Sequence, residues 1–267
     1  MIKRKFLRPS FFTAVILSAV MLSCGPQSKI ITQPSTSLSK DLKEISPGIL
    51  EGYLSKDAIP NSLELVPPPP EEGSAALQLD QEMAAKYVAS KDEARKEQAT
   101  QDAVLSFPEA VNAFNRVLEV QISEETTPHL YMILRRTLTD AGLSTYAAKN
   151  HYQRGRPFMV NNTPICTPED EAALRKDGSY PSGHTAIGWA WALILTEVFP
   201  EEADDILERG KQFGISRNVC NVHWHSDVVY GRMMGAAAVA ALHANIDFRI
   251  DLEVAKEEVA ALAVLEE

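Results

Sequence analysis

Three short segments of this 267-residue chain carry residues that could do charge chemistry. The first holds Lys149, Arg154 and Arg156. The second is the octet Gly178-Ser179-Tyr180-Pro181-Ser182-Gly183-His184-Thr185. The third holds Ser216 and Arg217, then His223 and Asp227. Each has a bland reading when taken alone. Cations near a helix C-terminus complement its dipole, a Pro-Ser-Gly turn is a common helix start, and a lone His beside an apolar helix is more often structural than reactive. Together they suit an anionic phosphoryl group. Ser182 and Gly183 fall at the expected start of an apolar helix, where backbone N–H groups are unpaired and the dipole favours an anion. Arg156 and Arg217 can grip oxyanions with forked hydrogen bonds, and Lys149 adds a point charge. His223 and Asp227 are spaced i,i+4, so on a helix they share a face. The carboxylate can then hold one imidazole nitrogen and leave the other free to attack. His184 supplies a second imidazole able to protonate a leaving group.

The elements that must position these residues read as helices nearly throughout. Ala75–Thr100 is rich in helix formers, Pro108 opens a helix to about Val120, and Pro128 opens a long one through Lys149 with apolar residues near helical spacing. Gly155, Pro157 and Pro164 break residues 152–168 into loop. Ser182–Phe199 is apolar almost all round and reads as a central buried helix. Helices are also expected at Glu202–Gly214, His223–Ala244 and Arg249–Leu265, the second packed with Gly235 and alanines that permit close approach. Convincing period-2 strands are absent, so the expected fold class is all-α, a single compact domain over residues 41–267.

The three segments, in order and at this spacing, resemble the three-part signature of the type 2 phosphatidic acid phosphatase superfamily, which also includes vanadium haloperoxidases. The octet is similar to the signature of class A bacterial non-specific acid phosphatases, and the likeness extends over roughly residues 50–250. This resemblance implies a helical fold and metal-free hydrolysis of small phosphomonoesters through a covalent phosphohistidine, with no cofactor. It implies that His223 is the nucleophile, Asp227 its orienting partner and His184 the general acid. Lys149, Arg156, Ser182, Gly183 and Arg217 would hold the phosphoryl oxygens. Three cations and a helix start can neutralise those oxygens without a metal. The resemblance leaves room for phosphotransfer to other acceptors, and it raises the expectation of a homo-oligomer. Rival readings are a vanadium-dependent haloperoxidase, a lipid phosphate phosphatase, and a lipoprotein that binds phosphorylated ligands without turnover.

His225 is additional to the signature. It makes a His-x-His-x-Asp string like a metal motif of metallo-β-lactamase-like hydrolases, but that motif usually continues with His and residue 228 is Val. Residues two apart on a helix point about 200° apart, so His223 and His225 would not share a metal. His225 is read as non-catalytic, His151 stays unassigned, and His129 and His243 read as ordinary helix residues.

The N-terminus has Lys3, Arg4, Lys5 and Arg8, then a short apolar run from Phe11 to Leu22, then Ser23-Cys24-Gly25. This is the pattern of a secretory signal over residues 1–23. Met21-Leu22-Ser23-Cys24 resembles a lipoprotein lipobox, which implies acylation of Cys24, with ordinary signal cleavage as the alternative. Residues 24–40 read as a polar, flexible tether. The protein is therefore expected to be exported to the periplasm or cell envelope, meeting a membrane only through a lipid anchor. Of the remaining cysteines, Cys166 and Cys220 could form a disulfide tying the first segment's loop to the third; two free buried thiols are the alternative. Removal of the signal takes away four bases and no acids, leaving 22 bases against 36 acids, a formal charge of 22 − 36 = −14. So acidic a chain is a poor general binder of nucleic acid.

Overall fold

A computed structural model describes residues 34–263. The expected signal, Cys24 and most of the tether lie outside the described residues. The elements begin with a small antiparallel hairpin, β1 (Glu44–Ser46) and β2 (Ile49–Leu50). Helices follow: α1 (Ser62–Leu65), α2 (Ala75–Val88), α3 (Glu93–Gln101), α4 (Asn112–Asn115), α5 (Pro128–Leu143), α6 (Tyr146–Tyr152), α7 (Pro157–Asn161), α8 (Glu171–Leu174), α9 (Gly183–Val198), α10 (Ala203–Val219), α11 (His225–Ala244) and α12 (Ile246–Ala263). The fold is all-α, with the hairpin as a minor addition to the expectation.

Helix α9 is the axis of the core because its sequence offers no polar face to water. Ala190, Trp191, Ala192, Ile194 and Leu195 are fully buried. Trp191 packs against Phe107, Phe114 and Phe213 and satisfies its one polar atom by donating Nε1–H to Leu134 O at 3.0 Å. Helix α5 presents Leu130, Ile133, Leu134, Leu138 and Ala141 to the same core, the i, i+3/i+4 stripe that its sequence predicted. Helix α11 approaches α9 backbone to backbone. A Cβ on Gly231 would stand 2.6 Å from Ser182 O, and one on Gly235 would stand 2.4 Å from Ala186 O. Both distances are shorter than a side chain can occupy, so α11 can lean on the start of α9 only as glycine.

Several expected helices are shorter or broken, each for a local reason. Ala75–Thr100 is two helices, α2 and α3, because Ser90 and Asp92 turn the chain and Asp92 caps α3 through Arg95 N at 2.9 Å. The helix expected from Pro128 through Lys149 stops at Leu143. Ser144 and Thr145 turn their hydroxyls back to Ala141 O and Gly142 O, at 2.7 and 2.8 Å, offering the backbone an alternative to the next helical turn. The segment after Pro108 forms a 3₁₀ turn and α4 instead of one helix to Val120. Residues 153–167 are loop except for α7, which starts at Pro157. The helix expected over 202–214 runs on to Val219 as α10.

The helix expected from His223 begins instead at His225, so His223 lies outside it. The tether also ends earlier than residue 40. Ser35 Oγ, Thr36 N and Thr36 Oγ1 all donate to the buried carboxylate of Asp251, at 2.6–2.9 Å, which binds this stretch to α12. The Cys166–Cys220 disulfide is formed, across a separation of 54 residues, beside a small cluster of Phe158, Ile165, Val219 and Val222.

Candidate active site

All three sequence segments converge at the N-terminal end of α9. The octet leads into it: Ser182 is the N-cap, accepting from Thr185 N at 3.3 Å and from Thr185 Oγ1 at 2.9 Å, and Gly183 is the first helical residue. Ser182 N is tied to Asp227 O at 3.0 Å, so the start of α9 and the start of α11 are one unit. Helix α6, turned by Ser144 and Thr145, brings in Lys149. The extended residue before α7 brings in Arg156, and the last turn of α10 brings in Arg217.

His223 and Asp227 do meet, but not by sharing a helix face. Trp224 is the N-cap of α11 and Asp227 its third residue, so the carboxylate folds back over the cap. Asp227 Oδ2 accepts from Trp224 N at 2.8 Å and faces His223 Nδ1 at 3.3 Å. A carboxylate can only accept, so Nδ1 carries the proton. Nε2 of the same ring lies 3.1 Å from Arg156 Nη1, and a guanidinium can only donate. The two contacts together leave Nε2 with its lone pair directed at the cations. Burial first, then the charges of Arg156, Lys149 and Arg217, holds the His223 imidazole well below its ordinary pKa.

His184, on the first turn of α9, places Nε2 3.0 Å from Ala103 O. The carbonyl accepts, so Nε2 carries a proton and Nδ1 is the nitrogen free to exchange one. Burial and then Arg217 push this imidazole well below its usual range too. Asp227 goes the other way: burial raises its pKa, opposed chiefly by Arg154.

The cations differ in how they are held. Lys149 is buried, donates to Gly178 O at 2.7 Å and pairs with Asp177 at 3.4 Å. Burial lowers it to about 8. Arg156 also pairs with Asp177, at 3.1 Å, and donates Nε–H to Leu174 O at 2.9 Å. Arg217 is 1% exposed, and among the described residues its Nε and Nη1 are buried donors without a partner. Burial and the neighbouring Arg156 lower it to about 10. A buried guanidinium with unpartnered donors is expensive, and an oxyanion is a group that such donors can engage.

Lys149, Arg156, Gly183, His184 and His223 line a cavity of about 320 Å³. Its other walls include Ile49, Leu105, Leu143, Tyr146 and Leu174, so the polar floor lies under an apolar mouth. Of the eight residues expected from the sequence, Lys149, Arg156, Gly183, His184 and His223 line this cavity, Ser182 caps α9, Asp227 lies against His223 and Arg217 ends α10; three groups that hold them were not expected. Asp177, directly before the octet, neutralises Lys149 and Arg156. Ala103 supplies the carbonyl under His184. Arg154, noticed only as a neighbour of Arg156, binds Asp227 Oδ1 at 2.7 Å. The acid at 177 beside a glycine turn was a readable signal; a backbone carbonyl is not. His225 is half-buried at the start of α11, His151 is exposed and packs its edge on Tyr152, His129 accepts or donates to Ser37, and His243 pairs with Glu197.

A scaffold of this shape can hold a phosphoryl group on its cations and present an unprotonated imidazole to it, which defines a helical enzyme of phosphoryl transfer. The PAP2 superfamily matches residues 128–251. Curated relatives extend the likeness. A non-specific acid phosphatase of Providencia stuartii is 44% identical over 79% of this chain and 85% of its own length. One of Salmonella typhimurium is 40% identical over 81% and 87%, and an acid phosphatase of Zymomonas mobilis is 36% identical over 94% and 90%. The chain belongs to the PAP2 superfamily, among its acid phosphatases.

Proposed function

We propose that this enzyme hydrolyses phosphate monoesters of broad specificity through a phosphohistidine at His223, without a metal, as an exported and lipid-anchored protein. The observation that carries the reading is the fixed ring of His223, with Nδ1–H on Asp227 and the Nε2 lone pair turned toward Arg156. The ester's phosphoryl oxygens would take the place now facing Arg156, engaging the idle donors of Arg217, Lys149 and the N–H groups at the start of α9. His223 Nε2 attacks phosphorus, the bond from phosphorus to the ester oxygen breaks, and that oxygen takes the proton of His184 Nδ1. A water then gives its proton back to His184, its oxygen attacks phosphorus, and the bond to His223 breaks to release phosphate. An alcohol in place of water would give phosphotransfer.

Binding of the anion alters the charge around His184. A phosphoryl dianion beside His184 stabilises its cation, so the general acid is charged when substrate is present. The same negative charge is matched by three cations and a helix dipole, which supports catalysis without a metal. Export is supported by the basic, apolar and Cys24 pattern at the N-terminus and by the Cys166–Cys220 bond, which suits an oxidising compartment. No helix among the described residues is long and apolar enough to cross a membrane.

The test is hydrolysis of p-nitrophenyl phosphate across pH 4–8 with EDTA present, in the wild type and in His223→Ala. Activity that survives EDTA and vanishes in the variant is expected. Loss of activity to EDTA, or its retention in the variant, overturns the mechanism.

A further inference from the structure

In helix α2, every residue of which is described, Asp80 alone is buried. An isolated aspartate buried in a helix whose other residues are exposed or half-buried is unexpected, because a buried carboxylate is costly unless it is fully paired. Asp80 is fully paired. Its Oδ1 accepts from Ser226 N at 2.7 Å, and its Oδ2 accepts from Ser226 Oγ at 2.6 Å and from Arg154 Nη2 at 2.7 Å. Arg154 then spans two carboxylates. Its Nη1 donates to Asp227 Oδ1 at 2.7 Å and to Ser226 Oγ at 2.8 Å. The rings of Trp224 and Tyr180 lie 5.3 and 6.0 Å from the guanidinium carbon, within the range at which an aromatic face attracts a cation.

We propose that Asp80 is a positioning residue for the nucleophile: through Arg154 and Ser226 it fixes the carboxylate of Asp227 in the orientation that holds His223. The proposal rests on the phosphohistidine reading above. The geometry behind it is directional. Asp227 uses Oδ2 for His223 and for the cap of α11, and its Oδ1 accepts from Arg154 at 2.7 Å. The pair with Arg154 therefore bears directly on how the carboxylate is rotated. Arg154 comes from the loop between α6 and α7 and is anchored at its other end by Asp80. Helix α2 lies outside residues 128–251, yet it closes the chain Asp80–Arg154–Asp227–His223. Asp80, Arg154 and Asp227 do not line the cavity that Lys149, Arg156 and His184 share, so they act on the attack rather than on binding.

The experiment compares purified wild type, Asp80→Asn, Ser226→Ala, Arg154→Gln and the double variant Asp80→Asn with Arg154→Gln. Rates are normalised to folded sites counted by calorimetric titration with vanadate. Asp80→Asn should lower kcat at least tenfold while KM and vanadate affinity stay within twofold. Ser226→Ala, which removes one hydroxyl and keeps both charges, should lower kcat about threefold in the same pattern and keeps the test open if Asp80→Asn does not fold. Arg154→Gln should move the acid limb of kcat to higher pH, because Asp227 loses the charge that favours its ionised form. The double variant should be no slower than Arg154→Gln within twofold. The proposal is overturned if kcat per folded site is within twofold of wild type in Asp80→Asn or, where that variant does not fold, in Ser226→Ala. It is also overturned if KM rises in step with the fall in kcat, or if the two substitutions multiply. Failure of the underlying reading shows separately, as a wild type that turns over no phosphomonoester.

Discussion

The Nδ1 atom of His223 faces Asp227 Oδ2 at 3.3 Å although only Asp227 belongs to helix α11. The pair is made by a capping turn: the same carboxylate oxygen that accepts the N-cap amide of Trp224 also holds the imidazole. Asp227→Asn should therefore loosen the start of α11 and reverse the tautomer of His223, since an amide can present a donor where the carboxylate only accepts. We expect kcat to fall at least about 10²-fold, with KM little changed. Steady-state kinetics on an aryl phosphate checks this, and a variant within tenfold of wild type would refute the orienting role.

Arg217 is buried with two idle donors, so function and stability should oppose each other there. Arg217→Met should lower kcat/KM by about 10²–10³-fold while stabilising the ligand-free protein by about 1 kcal/mol. Thermal unfolding with and without inorganic phosphate reads both effects. Phosphate should raise the midpoint of the wild type clearly and that of the variant little.

The pH dependence follows from the two imidazoles. In the free enzyme both are held below their ordinary range, so His223 stays a free base on the acid side of neutral while protonated His184 becomes scarce as pH rises. The rate profile should be bell-shaped, with the alkaline limb of kcat/KM lying on the acid side of neutral. In the substrate complex the phosphoryl dianion favours protonated His184, so the alkaline limb of kcat should lie at higher pH than that of kcat/KM. Coincident limbs would argue against His184 as the acid.

Asp140 provides a stability test away from the chemistry. Its oxygens accept from Tyr53 N and Leu54 N, and burial raises it from 3.8 to about 6. The folded state binds this proton more tightly than the unfolded state, so the group's contribution is complete below pH 4 and is lost as pH rises through 6. The loss is about 3 kcal/mol. Urea unfolding at stepped pH should show this fall in wild type and lack it in Asp140→Asn.

The disulfide closes a loop of 54 residues between the segment after Arg156 and the residue three before His223. Replacing both Cys166 and Cys220 by Ser should lower unfolding free energy by about 4 kcal/mol in the loop-entropy account. Equilibrium denaturation of the double variant measures it. A change below about 1 kcal/mol would mean that the cluster of Phe158, Ile165 and Val222 holds the loop by itself.

How far the site was legible in the sequence depended on what kind of group was involved. Charged side chains and glycines at fixed spacing, such as Lys149, Arg156, Gly183 and Arg217, announce themselves. The i,i+4 spacing of His223 and Asp227 led to the right contact by the wrong route, because spacing does not reveal where a helix starts. The break after Leu143 was hidden because Ser144 and Thr145 are compatible with either a helix or a turn until their hydroxyls find carbonyls. Asp80 gave no signal at all: an aspartate in a polar helix reads as solvated, and only the tertiary fold shows that it faces Arg154. The same holds for Ala103, whose carbonyl has no sequence identity.

The central claim is a covalent phosphoryl group on His223. Wild-type protein mixed with a phosphorus-labelled aryl phosphate and quenched in alkali within milliseconds should carry label that is stable to base and lost in acid. Digestion at alkaline pH should map that label to the peptide containing His223, and none should form in His223→Ala. An unlabelled wild type during active turnover, or label mapped to any other residue, would contradict the account.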